Sequence, residues 1–146
     1  MSFQNSLRIS AAGMAAQRQR LNVIASNLAN LQTTRTPEGG PYKRKDVVFQ
    51  AKPLIENQDD LSNDSDRQEP LSVEMVRVIT DNRPPIMKYQ PEHPDADAQG
   101  YVAYPNVNAI EEMVNMMSAT RSYEANLTMM KTAKDMVNKT VEILKV

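Results

Sequence analysis

The one histidine of the chain lies in Glu92-His93-Pro94-Asp95-Ala96-Asp97. A His beside three carboxylates is a donor set that could hold a divalent cation. The spacing argues otherwise. It fits neither an EF-hand loop nor an HExxH zinc pair, and no second His exists to complete a site. The stretch therefore reads as a polar turn. Nucleophilic catalysis has no better footing, because Ser and Thr occur without a GxSxG elbow. A His-dependent triad would have to use His93 in a Pro-flanked loop. With four Gly residues and no GxxxxGK[ST], a phosphate loop is also missing. The absence of Cys removes disulfide, thiolate and zinc-thiolate chemistry. Tyr42-Lys43-Arg44-Lys45 is a basic patch with one aromatic residue, and it reads as a solvated strand edge guarded by Lys. A net charge of −1 gives no global attraction to nucleic acid or acidic lipid. The expectation is a protein that is not an enzyme, with no cofactor, metal, nucleic acid or small-molecule substrate.

The informative pattern is apolar and sits at the two ends. Phe3, Leu7, Ser10, Met14, Gln17, Leu21, Ile24, Leu28 and Leu31 step through the N-terminal segment in alternating fours and threes. Ala109, Met113, Met116, Thr120, Tyr123, Leu127, Met130, Lys134, Val137, Val141 and Leu144 do the same at the C-terminal end. Ser10, Gln17, Thr120 and Lys134 alone interrupt the stripe. A 3.5-residue apolar period marks a helix with one face meant for another helix. The spacing predicts a helix over 3–32 and a second from Asn108 to about 144, with Asn108 and Glu111 spaced as a capping box. Gly13, flanked by Ala11, Ala12, Ala15 and Ala16, is open to two readings: simple tolerance, or close approach by a neighbouring helix. Met113, Met116, Met117, Met129, Met130 and Met136 give the second helix adaptable thioethers suited to irregular partners.

Between the helices the pattern changes. Thr36-Pro37 ends the first helix, since the residue before Pro avoids helical angles. Pro37-Glu38-Gly39-Gly40-Pro41 is a turn cluster. Tyr42–Lys52 and Leu71–Asp81 read as strands, and Asn82-Arg83-Pro84-Pro85 turns the chain so that Ile86–Gln90 returns as another. Residues 56–70 are polar and read as a solvated, mobile loop, and Pro91–Gly100 as a further loop. The fold class expected is mainly α with a small β-rich middle: long terminal helices forming an intramolecular coiled-coil-like pair, with short strands between. The divisions are 1–35, 36–105 and 106–146. Residues 1–37 hold Arg8, Arg18, Arg20 and Arg35 with no acid, as a transit peptide does. The regular heptads favour instead a helix face that meets acidic neighbours. No apolar run is long enough to span a bilayer, and no cleavable signal core is present.

Three stretches carry a resemblance. The first is Asn22–Asn30, centred on Ser26, Asn27, Leu28, Ala29 and Asn30, continued by Pro37, Gly39, Gly40 and Tyr42. The second runs from His93 through Asp95, Asp97, Gly100 and Tyr101 to Asn106 and Asn108. The third is Glu111 and Glu112 with Arg121, Tyr123 and Asn126. Together they resemble the rod proteins of the bacterial flagellar basal body, and within that family the subunits of the proximal rod. Only the polar stretch 56–70 departs, being longer than is usual there. The resemblance implies a structural subunit that assembles helically with other rod proteins to transmit motor torque in motility. It implies a basal-body location on the periplasmic side, reached through the flagellar type III export apparatus without a cleaved signal. The terminal helices would form the inner layer. Their assembly interface would be Leu7, Met14, Leu21, Ile24, Leu28, Leu31, Met113, Met116, Tyr123, Leu127, Met130, Val137, Val141 and Leu144. A coiled-coil adaptor or export chaperone of the same secretion system is the alternative.

Overall fold

A computed structural model describes residues 3–54 and 70–144 of the chain. Helix α1 spans Phe3–Ala29 and helix α2 spans Ala109–Leu144. Between them lie β1 (Lys45–Pro53), β2 (Leu71–Thr80), β3 (Ile86–Tyr89) and β4 (Tyr101–Tyr104). The molecule is thus mainly helical, with two small sheets in its middle. The loop expected over 56–70 falls, but for Pro70, outside the described residues.

Helix α1 stops a few residues earlier than its apolar period suggests. The Asn30 side-chain amide donates to the Ser26 carbonyl at 2.9 Å, and Thr33 Oγ1 donates to Asn30 Oδ1 at 3.2 Å. An Asn that can bond the preceding turn competes with helix continuation. The chain then doubles back. The Tyr42 N–H donates to the Thr33 carbonyl and the Thr36 N–H to the Gly40 carbonyl. Gly39 (φ 89°) and Gly40 (φ 75°) supply the left-handed backbone this turn needs. At the start of α2, Asn108 Oδ1 accepts the Ile110 N–H at 3.0 Å, as an N-cap should.

Strand pairing differs from the sequence expectation. β1 pairs antiparallel with β2, from Lys45 opposite Thr80 to Pro53 opposite Leu71, with an irregularity between Val48 and Phe49. β3 pairs instead with β4, from Ile86 opposite Tyr104 to Tyr89 opposite Tyr101. Tyr101–Tyr104 carries no strand signal in the sequence, because four residues are too few to show a period. Two local features make the hairpin. Gly100 turns at φ 83°, and a Cβ there would lie 2.8 Å from the Tyr89 ring. Tyr89 and Tyr101 meet edge-on at 5.4 Å between ring centres. Between β2 and β3, Arg83 Nε donates to Asp81 at 2.7 Å, and that bond holds the Asp81 carboxyl below its usual range.

The two helices run antiparallel. Asn27 faces Glu112, Arg20 reaches Asn115, and Gly13 faces Asn126. Half of the expected stripe lies at this seam: Ser10 and Ile24 are buried, and Gln17, Met116, Tyr123 and Met130 are half-buried. The other half is turned by one residue. Where Met14, Leu21, Leu28 and Met113, Thr120, Leu127, Lys134 were expected, the seam uses Gly13, Arg20, Asn27 and Glu112, Ala119, Asn126, Ala133. Small residues let the backbones come close, which long side chains would prevent. Ala119 is fully buried. A Cβ on Gly13 would lie 2.8 Å from Asn126 Nδ2 and 3.1 Å from its Cγ, so Gly13 marks close approach. Among the described residues, Gln17 Oε1 is buried without a hydrogen-bond partner.

The Gly13 contact sets up a sign reversal. Gly→Ala in a helix gains about 1 kcal/mol of propensity. In the Asn126→Ala background, Gly13→Ala should therefore raise the melting temperature. In the native chain the same change should lower it, because the methyl group would push the Asn126 amide off its bond to the Ser122 carbonyl. Thermal melts of the four chains of this double-mutant cycle check it.

Candidate functional site

Among the described residues the candidate side chains around His93 do not assemble a catalytic constellation. His93 Nδ1 accepts the Asp95 N–H at 3.1 Å, and Asp95 Oδ2 accepts from Thr34 Oγ1 at 2.7 Å. Asp97 Oδ1 accepts the N–H groups of Gln99 and Tyr101 at 2.9 and 2.8 Å. These carboxylates shape the β3–β4 loop and tie it to the segment after α1. Among the described residues no group of three or more His, Asp or Glu side chains could hold a metal ion.

The chemistry of the fold is concentrated elsewhere, where the end of α1, the approach to β1 and the start of α2 meet. Asn27 is fully buried and Glu112 is 1% exposed. Asn27 Nδ2 donates to the Lys45 carbonyl at 2.8 Å and to Glu112 Oε2 at 3.0 Å. Its Oδ1 accepts from the Lys45 N–H at 2.9 Å and from Tyr42 OH at 3.0 Å. Both amide hydrogens and both acceptor lone pairs are thereby used. Tyr42 OH also stands 3.3 Å from Ser26 Oγ. Glu112 Oε1 accepts from Arg44 Nε at 2.9 Å and lies 2.8 Å from Arg44 Nη2, while Arg44 Nη1 reaches Asp46 at 3.0 Å. Burial opposes the Arg44 charge, but the bonds to Asp46 and Glu112 outweigh it, and its pKa stands above the ordinary value.

This arrangement corrects one reading of the sequence. Tyr42-Lys43-Arg44-Lys45 is solvated only at Lys43 and Lys45: Tyr42 is buried and Arg44 is an ionic partner of Glu112. A Glu pair in the first turn of a helix reads ordinarily as dipole compensation. Glu111 fits that and is exposed, whereas Glu112 points inward. Arg44 was the functional residue the sequence left unmarked. No local spacing links it to a carboxylate 68 positions away.

The resemblance residues divide accordingly. Ser26, Asn27, Tyr42 and Glu112 build the hub, while Asn30, Gly39 and Gly40 shape the turn leading to it. Asp95, Asp97, Gly100 and Tyr101 shape the β3–β4 hairpin, and Asn108 caps α2. Tyr123 and Asn126 lie at the seam, Leu28 and Asn106 are half-buried, and Ala29, Pro37 and Arg121 are exposed. Of the expected interface residues, Ile24 is buried. Leu7, Met14, Leu21, Leu28, Leu31, Met116, Tyr123, Leu127 and Met130 are half-buried. Met113, Val137, Val141 and Leu144 are exposed.

A second surface is apolar and uncovered within the chain. Along α2, Ile110, Met113, Val114, Met117, Met129 and Met136 are more than half exposed. On the sheets, Val76, Val78, Ile79 and Met87 are likewise exposed. Among the described residues no helix is long and apolar enough to cross a membrane. Contiguous exposed apolar surface of this kind marks an interaction site.

Comparison with known proteins identifies the setting. Residues 7–35 match a family model described as flagella basal body rod protein. Residues 98–143 match one described as flagellar basal body rod FlgEFG protein C-terminal. The chain is 39% identical to the flagellar basal-body rod protein FlgC of Borreliella burgdorferi over 99% of both chains. It is 41% identical to the protein of that name from Salmonella typhimurium over 98% of both. With that of Bacillus subtilis the identity is 40% over 98% of this chain and 99% of the relative.

The hub predicts a steep local cost. Asn27→Ala strands the Lys45 N–H and carbonyl, and deprives Glu112 of a donor. It should destabilise the chain by about 3 kcal/mol, since each unsatisfied buried group costs 1–3 kcal/mol. Asn27→Asp should cost at least as much, because it sets a second carboxylate beside Glu112. Urea unfolding followed by circular dichroism measures both.

Proposed function

The chain belongs to the flagellar basal-body rod protein FlgC family, and from that premise we propose that it builds the proximal rod as a non-enzymatic, torque-transmitting subunit. It is a structural subunit of the basal-body rod, and its partners are other basal-body components. The observation that carries the finer reading is the apolar surface that α2 leaves uncovered. The side facing its own α1 places Glu112, Ala119, Asn126 and Ala133 beside Met116, Tyr123 and Met130, while Ile110, Met113, Val114, Met117, Met129 and Met136 are more than half exposed. A monomer has no use for that distribution. A subunit gripped on several sides does.

On this reading residues 1–35 and 106–146 form the inner layer of the rod and 36–105 lie outside it. The proposed assembly surface combines the flanks of the helix pair, Leu7, Met14, Leu21 and Leu127, with the exposed side of α2. Contacts between unlike patches that do not close into a ring propagate as a helical tube. Supply of the chain through the flagellar export apparatus, without a cleaved signal and on the periplasmic side, belongs to the same proposal.

Met129 and Met136 are well exposed, so Asp in their place spares the fold of the chain and strikes only the contact with a neighbour. Met129→Asp and Met136→Asp should each reduce swimming in soft agar to the level of a strain lacking the protein. The altered chain should be absent from purified hook–basal bodies, with its circular dichroism unchanged. Normal swimming and normal co-purification with both substitutions would overturn the assignment of this surface.

A further inference from the structure

Helix α2 outruns the part of α1 packed along it. Counting from the Gly13–Asn126 and Asn27–Glu112 contacts places Phe3 level with Met136. Among the described residues, Ala133 is the last of α2 to be buried. Val137, Val141 and Leu144 continue the seam side of the helix for two more turns, and all three are exposed. At the start of α2 the uncovered apolar residues lie on the far side instead. Ile110, Val114 and Met117 are each more than half exposed. Beyond them the same side carries Arg121, Glu124, Lys131 and Asp135, all exposed. Apolar surface is thus uncovered at each end of one helix, and charged surface lies between.

The two stripes match. Each has the i, i+4, i+7 spacing that seats one helix on another. Val137 follows Ile110 by about seven and a half helical turns, or about 40 Å, so the stripes face opposite sides of α2. A second copy shifted by that distance along α2, and sideways by one helix width, lays its tail stripe on Ile110, Val114 and Met117 with no rotation. The two helices then run parallel, with Val141 of one over Val114 of the other. A shift one heptad shorter would set Val141 and Leu144 against Arg121 and Glu124, where apolar side chains gain little. We propose that the last two turns of α2 dock on the first two turns of α2 in a second copy, as a staggered head-to-tail contact. The patches are unlike, and each copy in a row keeps one stripe free for the next, so the contact does not close. It continues the helix seam past the point where α1 ceases to cover it. The proposal rests on reading the exposed side of α2 as an assembly surface.

The chain has no cysteine, so introduced pairs report the contact directly. Val114→Cys and Val141→Cys in one chain stand too far apart along α2 to bridge within it, since a bridge needs Cα atoms within about 7 Å. Copper–phenanthroline oxidation of hook–basal bodies carrying this chain as the sole copy should link chain to chain. Peptide mapping should join position 114 of one copy to position 141 of another. The yield should exceed by at least about tenfold that of Arg121→Cys with Val141→Cys, which reads a dock one heptad out, because those Cα atoms lie beyond bridging distance. Ile110→Cys with Leu144→Cys, which reads an antiparallel dock, should stay open. Val114→Asp should abolish the bridge of the Met117→Cys, Leu144→Cys chain and leave circular dichroism unchanged. Equal yields from the out-of-register or antiparallel pair overturn the proposal. So does bridging of the tail only to a chain of another size, which would assign this surface to a different subunit. A chain present in basal bodies but unbridged fails the pairing alone. Absence of the unsubstituted chain from basal bodies fails the rod reading, and the pairing with it.

Discussion

The rest of the structure depends on where the Glu112 carboxylate can find partners. A carboxylate removed from water must be met by a cation and by donors to its remaining lone pairs. Arg44 and Asn27 meet it from two different segments, and Tyr42 and Lys45 complete Asn27. One ionised group at the start of α2 thereby fixes the end of α1 and the entry to β1. Three elements far apart in sequence become one corner, and the long helices run side by side away from it. Small errors at the corner grow along a helix of 36 residues, which is a reason for the site to be stiff and fully bonded.

Away from that corner the chain holds itself together sparingly. Among the described residues the buried apolar side chains are few: Ala16, Ile24, Leu54, Val102, Val107, Ala119 and Ala133, with Tyr42 at the hub. Each sheet has two strands, and a two-stranded ribbon is marginal without further packing. β2 carries Val76, Val78 and Ile79 exposed, so its second half lacks cover on both faces. Such a fold is shaped by a few specific polar contacts and left open for partners to complete.

The sequence disclosed the parts of this that have a period. Two long helices, their pairing and the β-rich segment between them follow from heptads, Pro and Gly punctuation and β-branched runs. The seam was legible only by half. Leu and Met at heptad positions are the ordinary signal of a buried face, and here Gly13, Ala119 and Ala133 occupy the contact one residue earlier. A hydrophobicity pattern reports what wants burial and cannot say whether the chain itself or a neighbour will supply it. β4 went unread because four residues carry no period. Arg44 went unread because an ion pair with Glu112 leaves no trace in local spacing. Asn27 stood out in the sequence, and its chemistry became clear once the Lys45 backbone stood beside it.

A polar corner inside and large apolar side chains left outside make a division of labour, and it follows from what each contact must do. An apolar seam tolerates sliding, since one methyl group replaces another at little cost. A polar corner does not, because each donor has one acceptor at one distance. Using the corner to fix internal geometry frees the large apolar side chains for surfaces where adaptability matters more than uniqueness. Met suits those surfaces, having a flexible, polarizable side chain that conforms to unlike partners. In a rod built from several kinds of subunit the same helix meets neighbours of different shape. A subunit can then be rigid in its own geometry and accommodating in its contacts, because separate residues carry the two requirements.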